Sequence, residues 1–271
     1  MIETMLFAPV KGKAAVEREL LDLRRQERKL RQAAARARPA GWKAALEAKI
    51  PAKVFTGLES AFRKGFSVVF NQGTVIIEKG YSKESLQADQ AIRDYAVQVK
   101  GSRKELRQMD KSARKADLLN LAATTLEGIG LGALGIGMPD IVLFLGTLLK
   151  GIYETALNYG FDYDSPGERL LILKMMETAL RTGDSWAEKN AETDRILENP
   201  GAEVTEQALE QQIAATSGVF AMDMLLLKFI QGIPVVGIIG GAANPLYYRR
   251  IMKYVQLKYR KRYLTRKLTE L

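Results

Sequence analysis

The chain has 271 residues, of which 47% are hydrophobic, so it can bury a sizeable core and its composition excludes a disordered protein. The absence of cysteine and histidine excludes disulfides, thiolate nucleophiles, the usual structural zinc sites and histidine acid–base catalysis. The formal net charge of +10 is unevenly spread, since residues 116–245 sum to −10 and residues 246–271 to +8, which indicates a polyanionic partner for the basic ends.

The first predicted element is a basic helix within an amino-terminal extension, residues 1–50. Val16, Leu20 and Leu23 recur at helical spacing, which predicts a helix over 11–38. Its apolar stripe is thin, so we expect this helix to pack lightly, to pair with another helix or to lie on a surface. The opening residues lack the charge pattern and the apolar length of a secretory signal, so we expect a cytoplasmic protein.

Residues 51–115 predict further helices. Apolar steps of three and four from Val54 onward favour a helix over 51–80, although residues 66–77 could instead form a β-hairpin with its turn at Asn71–Gly73. Ser82 suits the N-cap of the next helix, and Gly101 interrupts the helical pattern before another basic helix.

Three apolar segments, 118–138, 141–149 and 213–243, occupy the middle of the chain. The first is long enough to cross a bilayer. However, Glu127 interrupts the first segment, Asp223 and Lys228 interrupt the third, and a charge at the bilayer centre costs about 2.5–3.5 kcal/mol. Small residues at helical spacing predict close helix packing at Gly128, Gly132, Gly137, Gly237 and Gly241. A soluble bundle and a hairpin embedded in the membrane both stay open.

Three carboxylates lie inside or beside these segments, and they are the candidate catalytic residues Glu127, Asp140 and Glu154. Asp140 and Glu154 are two heptads apart and could share a helix face, and perturbed buried carboxylates often mark functional sites. Their alternative roles are structural, with Asp140 capping a helix and Glu127 pairing with a cation. The glycine cluster at 130–135 follows a helical segment rather than a strand, and no phosphate-binding loop occurs, so we expect no cofactor and no metal.

The carboxyl-terminal segment, residues 246–271, predicts a basic amphipathic helix with aromatic anchors. This pattern suits anionic lipid headgroups, and the expected contacts are Tyr247, Arg249, Arg250, Ile251, Lys253, Tyr254, Lys258, Arg260, Lys261 and Arg262. If about half of the cations face lipid at about 1 kcal/mol each, the segment alone binds in about the millimolar range, so other parts of the chain must contribute. A solvated helix without a partner and tyrosine stacking on single-stranded nucleic acid are the alternatives, and we expect no nucleic-acid partner.

Five short blocks form an ordered set along the chain: Thr125–Gly128, Pro139–Asp140, Ile152–Glu154, Tyr159–Asp162 and Gln231–Gly237. This set resembles the EcsC protein family over residues 55–255, which predicts a helical domain of 51–255 and leaves the amino-terminal extension outside it. The resemblance implies a helical, membrane-associated protein without an established activity. The gene that names the family lies beside an ABC transporter, which implies a transporter or secretion complex as a further partner.

Together these patterns predict an all-α, multi-helix bundle with glycine-rich apolar helical hairpins and basic terminal helices. The function we expect is docking on, or partial insertion into, the cytoplasmic leaflet of a bacterial inner membrane through anionic lipid. Two alternatives stay open. One is an enzyme that acts on a lipid or lipid-linked substrate through the carboxylates, and the other is an accessory module of a transporter or secretion complex.

Overall fold

The described part of the chain is built from α-helices. The computed structural model describes residues 8–36, 48–70, 77–78, 80–123, 139–199, 203–230 and 243–270. The helices in chain order are α1 (Ala8–Arg36), α2 (Ala52–Val68), α3 (Lys83–Lys100), α4 (Arg103–Ala123), α5 (Pro139–Asn158), α6 (Pro166–Leu180), α7 (Gly183–Glu198), α8 (Glu206–Ile230) and α9 (Ala243–Glu270). These ranges contain no β-strand, which confirms the all-α prediction.

Local chemistry sets the ends of α3. The hydroxyl of Ser82 accepts a hydrogen bond of 3.1 Å from the backbone N–H of Ser85, which satisfies one of the free donors of the first turn. At the other end Gly101 adopts the left-handed conformation, with a φ of 55°, which a glycine reaches without steric cost. The predicted N-cap and the predicted interruption are both confirmed.

Residues 66–77 could form either a helix or a β-hairpin by their sequence, and the described start of this segment is helical. α2 runs to Val68, and helical backbone continues through Phe70. Residues 71–76, which would form the hairpin turn, lie outside the described residues. The helical alternative is therefore confirmed up to Phe70.

One side of the bundle is an aromatic core formed by α2, α5 and α8. The ring of Phe220 lies 5.3 Å from that of Phe62, 5.9 Å from that of Phe66 and 6.1 Å from that of Phe144. Gly65 lets α2 approach α5 closely, because a Cβ at this position would lie only 3.1 Å from side-chain atoms of Ile141. Large rings around a close helix contact give this side a dense apolar centre.

The other side of the bundle is organised around α9, which contacts α1, α4, α5 and α6. Ile251, Val255 and Tyr259 are fully buried in it. The amino-terminal helix α1 packs against α9, and its apolar side chains Val16 and Leu23 are buried as well. The two basic terminal helices therefore pack against each other.

One described helix is long and apolar enough to cross a membrane. Its window, Ile141–Asn158, has a mean hydropathy of 1.2, and 78% of it is buried inside the bundle. Core helices of soluble proteins pass the same test, so this is weak evidence for a membrane span. The predicted segment 118–138 and the second half of segment 213–243 lie largely outside the described residues.

Candidate functional site

The tyrosines of α9 lie inside the bundle. Tyr259 donates a hydrogen bond of 2.7 Å to Glu168, and Tyr263 donates one of 2.8 Å to Asp94. Burial, followed by the adjacent carboxylate in each case, raises the pKa of both tyrosines. The hydroxyls therefore stay neutral and act as donors, which meets the need of a buried phenol for a polar partner.

Most cations of α9 are also paired with groups outside this helix. Seven of its nine Lys and Arg residues have such partners. The pairs are Arg250 with Asp223, Lys258 with Glu27 and Asp194, Arg260 with Glu19 and Asp110, Lys261 with Asp194 and Glu27, Arg262 with Glu168, Lys267 with Asp94, and Arg266 with the carbonyl oxygens of Tyr159 and Gly160. The basic character of this helix is thus largely neutralised within the chain.

Lys258 shows how completely a cation is enclosed. Its side chain has no exposed surface, and its Nζ donates hydrogen bonds to Glu27 of α1 and, at 2.7 Å, to Asp194 of α7. Moving a charge out of water costs several kcal/mol per ion unless a partner compensates. Lys258 can therefore be buried only because these two carboxylates compensate its charge.

The structure thus places most of the ten residues predicted to contact lipid away from solvent. Tyr247, Ile251, Tyr254, Lys258 and Arg260 are buried, whereas Arg250, Lys261 and Arg262 are partly exposed and ion-paired. Lipid contact by the five buried side chains would require α9 to leave the bundle. Only Arg249 and Lys253 are exposed, and neither has an ion-pair partner among the described residues.

A stripe of exposed cations runs along α4, which the sequence prediction did not single out. Lys104, Arg107, Lys111 and Arg114 follow each other at steps of three, four and three residues, so they share one side of the helix. The opposite side of α4 is buried through Leu106 and neighbouring apolar residues.

A second stripe of cations lies on α1, next to the first. Arg18, Arg25 and Lys29 are exposed and share the side of α1 that carries Asp22. Asp22 accepts a hydrogen bond from Arg103 of α4, so this side of α1 adjoins α4. We call the basic surface the set of exposed cations Arg18, Arg25, Lys29, Lys104, Arg107, Lys111, Arg114, Arg249 and Lys253.

A cavity of about 320 Å³ opens where α1, α4, the end of α5 and α9 meet. Its lining residues are Gln26, Asp110, Arg114, Tyr159, Arg249, Lys253, Gln256, Leu257 and Arg260. Three of the four cations among them, Arg114, Arg249 and Lys253, belong to the basic surface. The cavity, which we call the basic pocket, is open to solvent and therefore combines a recessed volume with a surplus of positive charge.

Asp110 is the only carboxylate among the described residues that line the basic pocket, and it interacts with two of them. It accepts a hydrogen bond of 2.8 Å from the hydroxyl of Tyr159, and its carboxylate forms an ion pair with Arg260, whose Nε lies 3.0 Å away. Burial raises the pKa of Asp110 above its ordinary value, although Arg260 and Tyr159 act in the opposite direction. The electrostatic field of the pocket is consequently dominated by its cations.

The candidate catalytic carboxylates are only partly described. Glu154 is buried on α5, close to a chain of hydrogen bonds in which Tyr81 donates to Tyr163 at 2.7 Å and Tyr163 donates to Glu78 at 2.6 Å. Glu127 and the side chain of Asp140 lie outside the described residues, so the convergence of the three stays a prediction. Within the described ranges no group of three acidic side chains is placed to hold a metal ion.

The glycines predicted to pack helices, Gly128, Gly132, Gly137, Gly237 and Gly241, all lie outside the described residues as well. The described close approaches occur at other glycines. Gly65 meets α5, and Gly151 of α5 meets the hydroxyl of Tyr248 so closely that a Cβ would overlap it. Small residues recur at steps of four at Gly57, Ala61 and Gly65. This spacing could have predicted the close approach of α2 to α5 at Gly65.

Comparison with known proteins gives one finding. The model of the EcsC protein family matches residues 14–264. The match begins within α1, so the amino-terminal helix belongs to the family region, whereas the resemblance of short blocks placed it outside. No curated protein and no solved structure matches the chain. Because the match covers most of the chain, the protein belongs to the EcsC family.

Proposed function

We propose that this protein is a peripheral protein of the cytoplasmic leaflet of a bacterial inner membrane, and that it docks on anionic lipid through the basic surface. The observation that carries this proposal is the contrast between the two sets of cations. Those of α9 are mostly paired inside the bundle, whereas those of α1 and α4 extend into solvent around the basic pocket, although Arg25 and Arg107 also form ion pairs with Asp22 and Glu19. The docking surface we propose therefore consists mainly of α1 and α4 rather than α9.

The number of exposed cations agrees with reversible binding. Each Lys or Arg near an anionic leaflet contributes about 1 kcal/mol, so engagement of about half of the basic surface gives about 4–5 kcal/mol. This corresponds to a dissociation constant near the millimolar range. Electrostatic attraction alone would hold the protein weakly.

Two exposed leucines lie among these cations and can strengthen the binding. Leu21 of α1 is 52% exposed and lies on the same side as Arg18 and Arg25, and Leu246 of α9 is 58% exposed and lies one and two turns before Arg249 and Lys253. Burial of apolar area in the interface at about 25 cal/mol per Å² adds about 1 kcal/mol for each leucine. The combination of cations and exposed leucines is typical of interfacial helices.

The same arrangement does not favour nucleic acid as the partner of the basic surface. Proteins that bind single strands without sequence preference stack bases on exposed aromatic rings. The tyrosines that suggested this alternative, such as Tyr254 and Tyr259, are buried, and the large exposed apolar residues described on α1, α4 and α9 are leucines. Lipid therefore fits the surface better than a polynucleotide.

The proposal is tested by flotation of the full chain with phosphatidylcholine vesicles that contain about 30 mol% phosphatidylglycerol. We expect binding to these vesicles, release by high salt because exposed charges are screened, and little binding to pure phosphatidylcholine. The variant Lys104→Glu/Lys111→Glu, which reverses two charges on one side of α4, is expected to weaken binding at least about tenfold.

The matched control is Lys53→Glu/Lys64→Glu, which makes the same change of charge on exposed positions of α2. Because α2 packs on α5 and α8 and carries no part of the basic surface, this variant should bind nearly as well as the parent chain. Equal loss in both variants would show attraction by net charge alone. Equally tight binding of a single-stranded oligonucleotide would contradict the preference for lipid.

A further inference from the structure

The basic pocket has the properties of a ligand site within the proposed docking surface. Its volume of about 320 Å³ lies at the lower end of the range for small-molecule sites. Four separate segments line it, so its side chains are held by the fold rather than by one mobile loop. A general electrostatic surface does not need a recess, which sets this feature apart from the stripes on α1 and α4.

The cations of the basic pocket favour an anionic ligand. Arg249 and Lys253 have no ion-pair partner in the described part of the chain, and Arg114 lies beside them. Arg260 is neutralised by Glu19 and Asp110, and Asp110 also accepts from Tyr159. Arg114 also lies within the electrostatic reach of Asp110, but this single carboxylate is shared with Arg260, so the described side chains of the pocket leave a surplus of positive charge at Arg114, Arg249 and Lys253.

The type of these side chains favours a phosphate group among anions. Guanidinium groups bind phosphate through two parallel hydrogen bonds, and an ammonium group adds a compact charge. A phosphate monoester carries between one and two negative charges near neutral pH, with its second pKa near 6, and it exposes three acceptor oxygens. A diester carries a single charge and would leave more of the pocket's positive charge unmatched.

We propose that the basic pocket binds a phosphate monoester group, with Arg114, Arg249 and Lys253 as its ligands. This inference rests on the proposed function, because the pocket opens on the docking surface and Leu246 lies on the same side of α9 as two of the ligands. The monoester headgroup of phosphatidic acid is the source that fits such a surface. A free phosphate compound shares its chemistry, and the experiment distinguishes the two.

The test compares two vesicle types with equal zeta potential, one with phosphatidic acid and one with phosphatidylglycerol. The full chain is expected to bind phosphatidic acid about tenfold more tightly. The variant Arg249→Gln/Lys253→Gln, at exposed positions that do not hold the core together, should lose this preference, and its binding to phosphatidylglycerol should weaken no more than that of a variant that removes two cations elsewhere on the basic surface. Lys104→Gln/Lys111→Gln should instead weaken binding to both vesicle types and keep the preference.

Titration of the full chain with inorganic phosphate, at constant ionic strength, supplies the second arm. Phosphate binding that Arg249→Gln/Lys253→Gln abolishes, without a preference between the vesicles, would assign the pocket to a free phosphate compound. Neither a preference for phosphatidic acid nor binding of phosphate would overturn the proposal. Failure to bind any anionic vesicle, with phosphate binding intact, would overturn the proposed function and leave the pocket as a phosphate site.

Discussion

The substitution Lys258→Met tests whether α9 is a core helix held by internal ion pairs. Lys258 is fully buried, and it bridges Glu27 of α1 and Asp194 of α7, which keep only 17% and 20% of their side-chain surface exposed. Removal of one partner from a buried ion pair typically costs about 3–5 kcal/mol. Because Lys261 stays 2.9 Å from Asp194 and both carboxylates keep some contact with water, we expect about 3 kcal/mol, at the lower end of this range.

The free energy of unfolding is measured from urea denaturation of the full chain, followed by circular dichroism of its helices. The control is Lys253→Met, on the same helix but exposed and without an ion pair among the described residues, and it should change the stability by less than about 0.5 kcal/mol. Replacement of all three charged groups, in Lys258→Met/Glu27→Leu/Asp194→Leu, should recover much of the loss. A cost below about 1 kcal/mol for Lys258→Met, or an equal cost for both single variants, would refute the reasoning.

Three further predictions concern packing and protonation. Gly151→Ala places a Cβ against the hydroxyl of Tyr248 and should cost about 1–3 kcal/mol in urea denaturation, with partial recovery when Tyr248→Phe removes that hydroxyl. Phe220→Ala empties the centre of the aromatic core and should cost about 3–5 kcal/mol, whereas Phe220→Leu should cost clearly less. The raised pKa of Asp110 means that the native state binds this proton more tightly than the unfolded state, so its contribution to stability falls as pH rises from the ordinary pKa through the raised one. Asp110→Asn should remove this part of the pH dependence of the unfolding free energy, and an unchanged pH profile would contradict the assignment.

The elements that could be predicted from sequence are those set by local chemistry. The cap at Ser82 and the stop at Gly101 depend on residues within one helical turn, and the helical period from Val54 onward is a property of a single segment. Such signals identify where helices begin and end without knowledge of what they pack against.

The role of α9 could not be predicted from the same kind of signal. A helix rich in tyrosine, lysine and arginine suits a lipid interface, but it equally suits an interior in which other helices supply acidic partners. Those partners are far away in the chain, since Glu27 and Lys258 are separated by 231 residues. The net charge of +8 therefore indicated an external anion, although most of the compensation is internal.

One signal in α1 pointed to this internal pairing. Glu19 and Glu27 lie on or beside the side of the helix that also carries Val16 and Leu23, whereas most of its cations lie on the other side. Acidic residues at the apolar side of a basic helix indicate a buried basic partner. The carboxyl-terminal segment, residues 246–271, has the cations to supply this buried partner.

Hydrogen–deuterium exchange of the full chain, with and without anionic vesicles, tests most directly the claim that α9 is core and that α1 and α4 meet the membrane. We expect the backbone amides of residues 255–263 to exchange slowly in the free protein and to change little on vesicles. Those of α1 and α4 should slow when vesicles are added. Rapid exchange of residues 255–263 in the free protein, with protection only on vesicles, would contradict the account, because α9 would then be a lipid-binding helix and not part of the core.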